Sequence, residues 1–174
     1  MRYHRIPEHT KTLSIARPRY LEAEGDTAVL VLHGFKGITD NMTILTERLH
    51  AEGYTVSTPR LPGHGTNHID FHLTGWRDWL RRSIDAYLDL RGSHGHVYLA
   101  GLSMGGVLAL ILASMFEVEK MALCAPGLKA SNPLVPLSPL LRFLVPRLSS
   151  GYEEDSPDPE RHVLADEYWG LHTA

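Results

Sequence analysis

Cysteine is nearly absent: Cys124 stands alone in a chain of 174 residues. One thiol excludes an intrachain disulfide, and its apolar neighbours Leu123 and Ala125 predict a buried side chain. An excess of either charge is lacking too. The 17 Lys and Arg residues are set against 20 Asp and Glu, a net charge of -3, so no polybasic surface argues for nucleic acid. The charged start Met1-Arg2-Tyr3-His4-Arg5 is not followed by an apolar stretch, so no secretory leader is read. No run approaches the ~20 apolar residues of a bilayer span, and a cytoplasmic location is the expectation. Repeats and low-complexity tracts are missing, and 43% hydrophobic residues fit an ordinary globular domain with one core. Neither G-x-x-x-x-G-K-[ST] nor H-E-x-x-H occurs. His64, His68 and His72 recur at intervals of four, but Gly63, Gly65 and Gly75 speak against a helix there. Neither a metal site nor a cofactor is predicted.

What is present alternates. Leu13-Ser14-Ile15-Ala16 and Arg19-Tyr20-Leu21 read as outer strands, with Glu24-Gly25-Asp26 as a turn. Ala28-Val29-Leu30-Val31-Leu32 is a continuous apolar run of strand length, as expected of a strand buried on both faces. A helix follows from Asp40 or Asn41 to about Glu52, with Met42, Leu45 and Leu49 on one face and Gly53 as its stop. Tyr54 to Thr58 is a second strand, halted by Pro59, and Arg60 to Thr66 is a glycine-rich loop. Trp76, Trp79, Leu80, Ser83, Ile84, Tyr87 and Leu88 then fall at helical spacing up to Gly92, their aromatic stripe expected in the core. His96 to Ala100, an apolar helix over Val107 to Ala113, and Lys120 to Ala125 complete the pattern. This β-α-β-α-β-α-β order predicts an α/β fold, a mostly parallel sheet with helices on both faces.

The composition changes after Pro126. Pro133, Pro136, Pro139 and Pro146 interrupt the chain, and no strand pattern is visible. Ser138-Pro139 opens a helix with an apolar face of Leu140, Leu141, Leu144, Val145 and Leu148, and Asp158-Pro159 opens another toward Trp169. Residues 1–126 are therefore read as the core and 127–174 as a helical, lid-like insertion.

The strongest local signal is Gly101-Leu102-Ser103-Met104-Gly105. It spells G-x-S-x-G between an apolar strand and a buried helix, the strained corner that lifts a serine hydroxyl above a parallel sheet. Side chains at Gly101 or Gly105 would crowd that corner.

Together with His33-Gly34-Phe35 at the end of the first apolar strand and Leu61-Pro62-Gly63-His64-Gly65 after the next, this motif resembles the α/β-hydrolase superfamily, in particular its carboxylesterase and monoacylglycerol-lipase-like members. The resemblance covers residues 25–126 well and the remainder loosely. It implies Ser103 as the nucleophile that forms an acyl-enzyme on an ester carbonyl. The backbone N–H groups of Phe35 and Met104 are implied as the oxyanion hole, with His33 holding the loop in shape. The implied substrate is a small-molecule carboxylic ester of short or medium acyl length.

That family's triad runs Ser, then Asp or Glu, then His. Only one strand is legible after Ser103. Asp155, Asp158, Asp166, His162 and His172 follow no apolar strand that would place them at the sheet's carboxyl edge. The acid and base are therefore expected beyond the end of this chain, and the fold is read as C-terminally incomplete. The strand over Met121 to Ala125 is expected at a sheet edge, open to self-association or to a partner chain. The alternatives left open are a related thioesterase or peptidase, and a catalytically silent fragment or pseudoenzyme acting in binding or assembly.

Overall fold

A computed structural model describes residues 6–129, together with a strand pair at 148–149 and 170–171. The apolar runs become the central strands. β2 (Thr27–Leu32) is buried from Ala28 onward, and β4 (His96–Leu102) pairs with it in parallel from Thr27↔His96 to Leu32↔Gly101. β3 (Thr55–Thr58) runs parallel to β2 on the other side. β5 (Met121–Cys124) runs parallel to β4. The sequence reading of both Leu13–Ala16 and Arg19–Leu21 as strands is half right. β1 (Arg19–Leu21) pairs antiparallel with β3, whereas Ser14–Ala16 is a 3₁₀ turn. Leu13 donates its N–H to the Gly65 carbonyl at 3.0 Å, and Ala16 packs against Gly65, so this segment seats on the glycine loop and not on the sheet.

The sheet order is β1-β3-β2-β4-β5. Successive residues of β2 point to opposite faces and feed two cores. Ala28, Leu30 and Leu32 pack with α3 (Trp76–Arg91) and α4 (Met104–Met115), while Val29 and Val31 pack with Met42 and the Leu45 and Leu49 side chains of α1 (Thr43–Ala51). Helices therefore cover both faces, as expected. α3 begins with Asp78 reaching back to the Gly75 N–H at 2.8 Å and ends at Gly92. Its Trp79 and Tyr87 are core residues, but Trp76 is 58% exposed, a correction to the reading of one continuous aromatic stripe. Trp76 opens the helix, one turn before the residues that reach the sheet.

Three further expectations are overturned. A short helix, α2 (His68–His72), forms where glycines spoke against one. Asn67 Oδ1 accepts from the N–H groups of Ile69 and Asp70 at 3.0 Å each, and Phe71 anchors the turn in the core. Cys124 is exposed, not buried, because β5 is the sheet edge among the described residues and only Leu123 in it is half-buried. Beyond Pro126, where no strand was legible, β6 (Leu148–Ser149) and β7 (Gly170–Leu171) pair antiparallel. The helices predicted from Ser138 and Asp158, and the residues Asp155, Asp158, His162, Asp166 and His172, lie outside the described residues.

Candidate active site

The strand order reverses direction between β2 and β4. The connection leaving β2 leads to β3 on one side, and the one leaving β4 leads to β5 on the other. Such a switch point opens a crevice at the carboxyl ends of the two strands. His33-Gly34-Phe35 leaves one of those ends and Ser103 the other, so the sheet brings the predicted residues together.

Ser103 has φ 53° and ψ -114°, a conformation that L-residues avoid, and its side chain is exposed. The corner closes because glycines flank it. A Cβ on Gly101 would press on the backbone of Gly105 and lie 2.6 Å from Gly106 N; one on Gly105 would lie 2.6 Å from the His33 carbonyl oxygen. Hydrogen bonds fix the result. The Ser103 N–H donates to the Cys124 carbonyl at 2.9 Å, and its carbonyl accepts from Gly106 at 3.0 Å, Val107 at 3.3 Å and Gly127 at 3.2 Å. Two positions that sequence reasoning missed border the hydroxyl. A Cβ on Gly34 would stand 3.4 Å from Ser103 Cβ, and one on Gly127 3.8 Å from its Oγ.

Among the described residues the Phe35 and Met104 N–H groups donate to no acceptor. Met104 is the first residue of α4, where unpaired N–H groups are inherent to the helix end. Gly34 to Gly37 is a turn closed by Gly37 N–H on the Gly34 carbonyl at 3.0 Å. Lys36 occupies its third position at φ 56°, where glycine is usual. Lys36 is buried, and burial lowers its pKa to about 8. Lys36, Ser103 and Ala125 are the non-glycine residues with positive φ among the described residues, and they follow β2, β4 and β5 at one edge of the sheet.

His33 holds that edge in shape. Its Nε2 accepts the Leu61 N–H at 3.2 Å, which leaves Nδ1–H to donate to the Gly34 carbonyl at 3.0 Å. Fully buried, it is neutral, its pKa lowered to about 4 chiefly by desolvation. His64 packs edge-on to it at 4.9 Å between ring centroids and, through burial, has its pKa lowered to about 3. Phe71 and Trp79 close on His64, and the Trp79 Nε1–H donates to the Pro62 carbonyl at 3.0 Å. The Leu-Pro-Gly-His-Gly loop is thus a structural brace for the His-Gly-Phe loop.

Ser103 Oγ makes no hydrogen bond among the described residues. Also among the described residues, no group of three His, Cys, Asp or Glu side chains is placed to hold a metal ion. The cavities behind β1 and beside α1, of about 310 and 210 Å³, are lined by other residues than Ser103.

The model of the alpha/beta hydrolase family matches residues 29–173. The chain belongs to this family. Among its relatives, a thermostable monoacylglycerol lipase of Bacillus sp. (strain H-257) is 42% identical over 108 residues, 62% of this chain and 43% of the lipase. A carboxylesterase of Bacillus subtilis (strain 168) is 39% identical over 105 residues, 59% of this chain and 42% of the esterase. A solved structure from work on the metagenome-derived lipolytic enzymes LipS and LipT superposes with a TM-score of 0.77 at 29% identity. It covers 82% of this chain and 59% of that one. The chain thus spans less than half the length of the two Bacillus relatives. The alpha/beta hydrolase fold accounts for the described sheet.

Proposed function

We propose that this chain carries the nucleophile and oxyanion hole of a serine hydrolase of carboxylic esters, with Ser103 forming the acyl-enzyme. The observation that carries the reading is the strained, exposed Ser103 beside two N–H groups, of Phe35 and Met104, that have no acceptor among the described residues. In the reaction Ser103 Oγ attacks the ester carbonyl carbon as its proton passes to a general base. The oxygen that gains the electron pair is met by the two N–H groups. Collapse of the tetrahedral intermediate expels the alcohol, which takes the proton, and water then releases the acid by the same steps. The reading draws the histidine base and its carboxylate from outside residues 6–129, and esters of short or medium acyl length as substrates. The lipase and carboxylesterase relatives support the ester class.

The unengaged Ser103 hydroxyl also favours a second reading, a silent binding module. One experiment separates them. Wild type should turn over a p-nitrophenyl ester and react with a fluorophosphonate probe, and Ser103→Ala should lose labelling and about 10³-fold or more of the rate. Equal rates for the two proteins, without labelling of wild type, would sink the enzyme reading.

A further inference from the structure

Away from the serine, a cavity of about 310 Å³ opens between α3 and the outer strands β1 and β3. Alternation along the strands decides which side chains enter it. β1 pairs antiparallel with β3 in the register Arg19↔Thr58 and Tyr20↔Ser57. Tyr20 and Ser57, with Pro18 and Pro59 two residues further along each chain, therefore line the cavity from the α3 side of the sheet. Arg19 also borders it, but its guanidinium is drawn to the other face, where it pairs with Asp40 at 3.7 Å and Glu47 at 3.5 Å. The opposite wall is one stripe of α3. Arg82, Ala86 and Asp89 follow each other at helical spacing and all border the cavity.

The polar groups of this cavity are unengaged. Among the described residues the side chains of Tyr20, Ser57, Arg82 and Asp89 make no hydrogen bond or ion pair. Asp85 feels the charge of Arg82, but its carboxylate is hydrogen-bonded by Arg81 and it does not line the cavity. Arg82 is half-buried and Asp89 exposed. Two turns of helix, about 10 Å along the axis, separate them, and they form no salt bridge with each other. The cavity thus presents a cation at one end and an anion at the other, with the buried Ala86 midway. Tyr20 and Ser57 offer hydroxyls on the facing wall. One charge of each sign leaves no net field to draw in a simple ion, and each charge is open to a partner of its own. The volume lies at the lower end of the range for small-molecule sites.

We propose that this cavity binds a short zwitterion, an ω-amino carboxylate whose carboxylate meets Arg82 and whose ammonium meets Asp89, its methylene chain lying over Ala86. The site is separate from Ser103, so the proposal does not depend on the ester-hydrolase reading. The probes are 6-aminohexanoate, hexanoate and hexylamine, titrated into the full chain at low ionic strength and pH 7, where both end groups are ionised. Ligand-observed NMR reads the weak binding expected of such small molecules. 6-Aminohexanoate should bind about tenfold or more tightly than either single-ended analogue, since each of those forfeits one charge-assisted contact. Arg82→Gln should weaken 6-aminohexanoate and hexanoate about tenfold and leave hexylamine unchanged. Asp89→Asn should weaken 6-aminohexanoate and hexylamine about tenfold and leave hexanoate unchanged. Both side chains lie outside the core, and thermal melts of the variants check that they fold. Absence of 6-aminohexanoate binding at millimolar concentration overturns the proposal. So do equal affinities for the three probes, or binding of 6-aminohexanoate that is indifferent to either substitution, since the ligand would then sit elsewhere or be held by one charge alone.

Discussion

Ser103 holds a backbone conformation that its own side chain opposes. The φ of 53° with ψ -114° is open to glycine and costly to other residues, about 1–3 kcal/mol for such a site. Ser103→Gly should therefore stabilise the fold by about 1 kcal/mol while removing the hydroxyl. A thermal midpoint equal to or below that of wild type would show that the corner is unstrained. His33 makes a second residue-scale prediction. Its proton affinity is depressed in the fold, from the ordinary 6.5 to about 4, so on acidification the unfolded chain takes up the proton first. Its contribution is complete above pH 6.5 and is lost as pH falls from 6.5 to about 4, a difference of about 3 kcal/mol. His64 acts in the same direction. Urea midpoints at pH 7 and pH 4.5 measure the loss, and His33→Gln should flatten it. An identical pH slope in that variant would remove His33 as the cause.

Among the elements, β5 departs furthest from its sequence. Met121 to Ala125 is an uninterrupted apolar run like the one that became β2, yet Met121, Ala122 and Cys124 are exposed. Burial depends on what lies on either side of a strand, and local composition carries no record of its neighbours. The Cys124 thiol should accordingly react with a thiol reagent in the native protein, without denaturant and to one equivalent. Protection until unfolding would mean that another segment or chain covers the edge. α2 escaped sequence reading for a related reason. Five residues are too few to show a period, and its formation rests on the Asn67 cap and on Phe71, whose core contacts are tertiary. The longer elements were legible because burial on both faces leaves an uninterrupted apolar run in β2, and because α3 repeats its buried residues at helical intervals up to Gly92.

At the scale of the molecule, the parallel order and its reversal between β2 and β4 follow from the alternation of elements, and with them the place of the site. The strained corner at Ser103 was legible because glycine spacing marks such corners. Gly34, Gly127 and the left-handed Lys36 and Ala125 were not, because they matter through where loops from three strands meet. His33 and His64 were visible as residues, while their closed hydrogen bonds and ring contacts were not. The bond from Ser103 N–H to the Cys124 carbonyl and the one from Gly127 N–H to the Ser103 carbonyl carry a mechanical consequence. The end of β5 and the turn after it are clamped to the serine's N–H and to its carbonyl. A slip of β5 by a single residue, about 3.3 Å, would release both clamps at once. Whatever pulls on the chain past Leu128 therefore pulls on the serine.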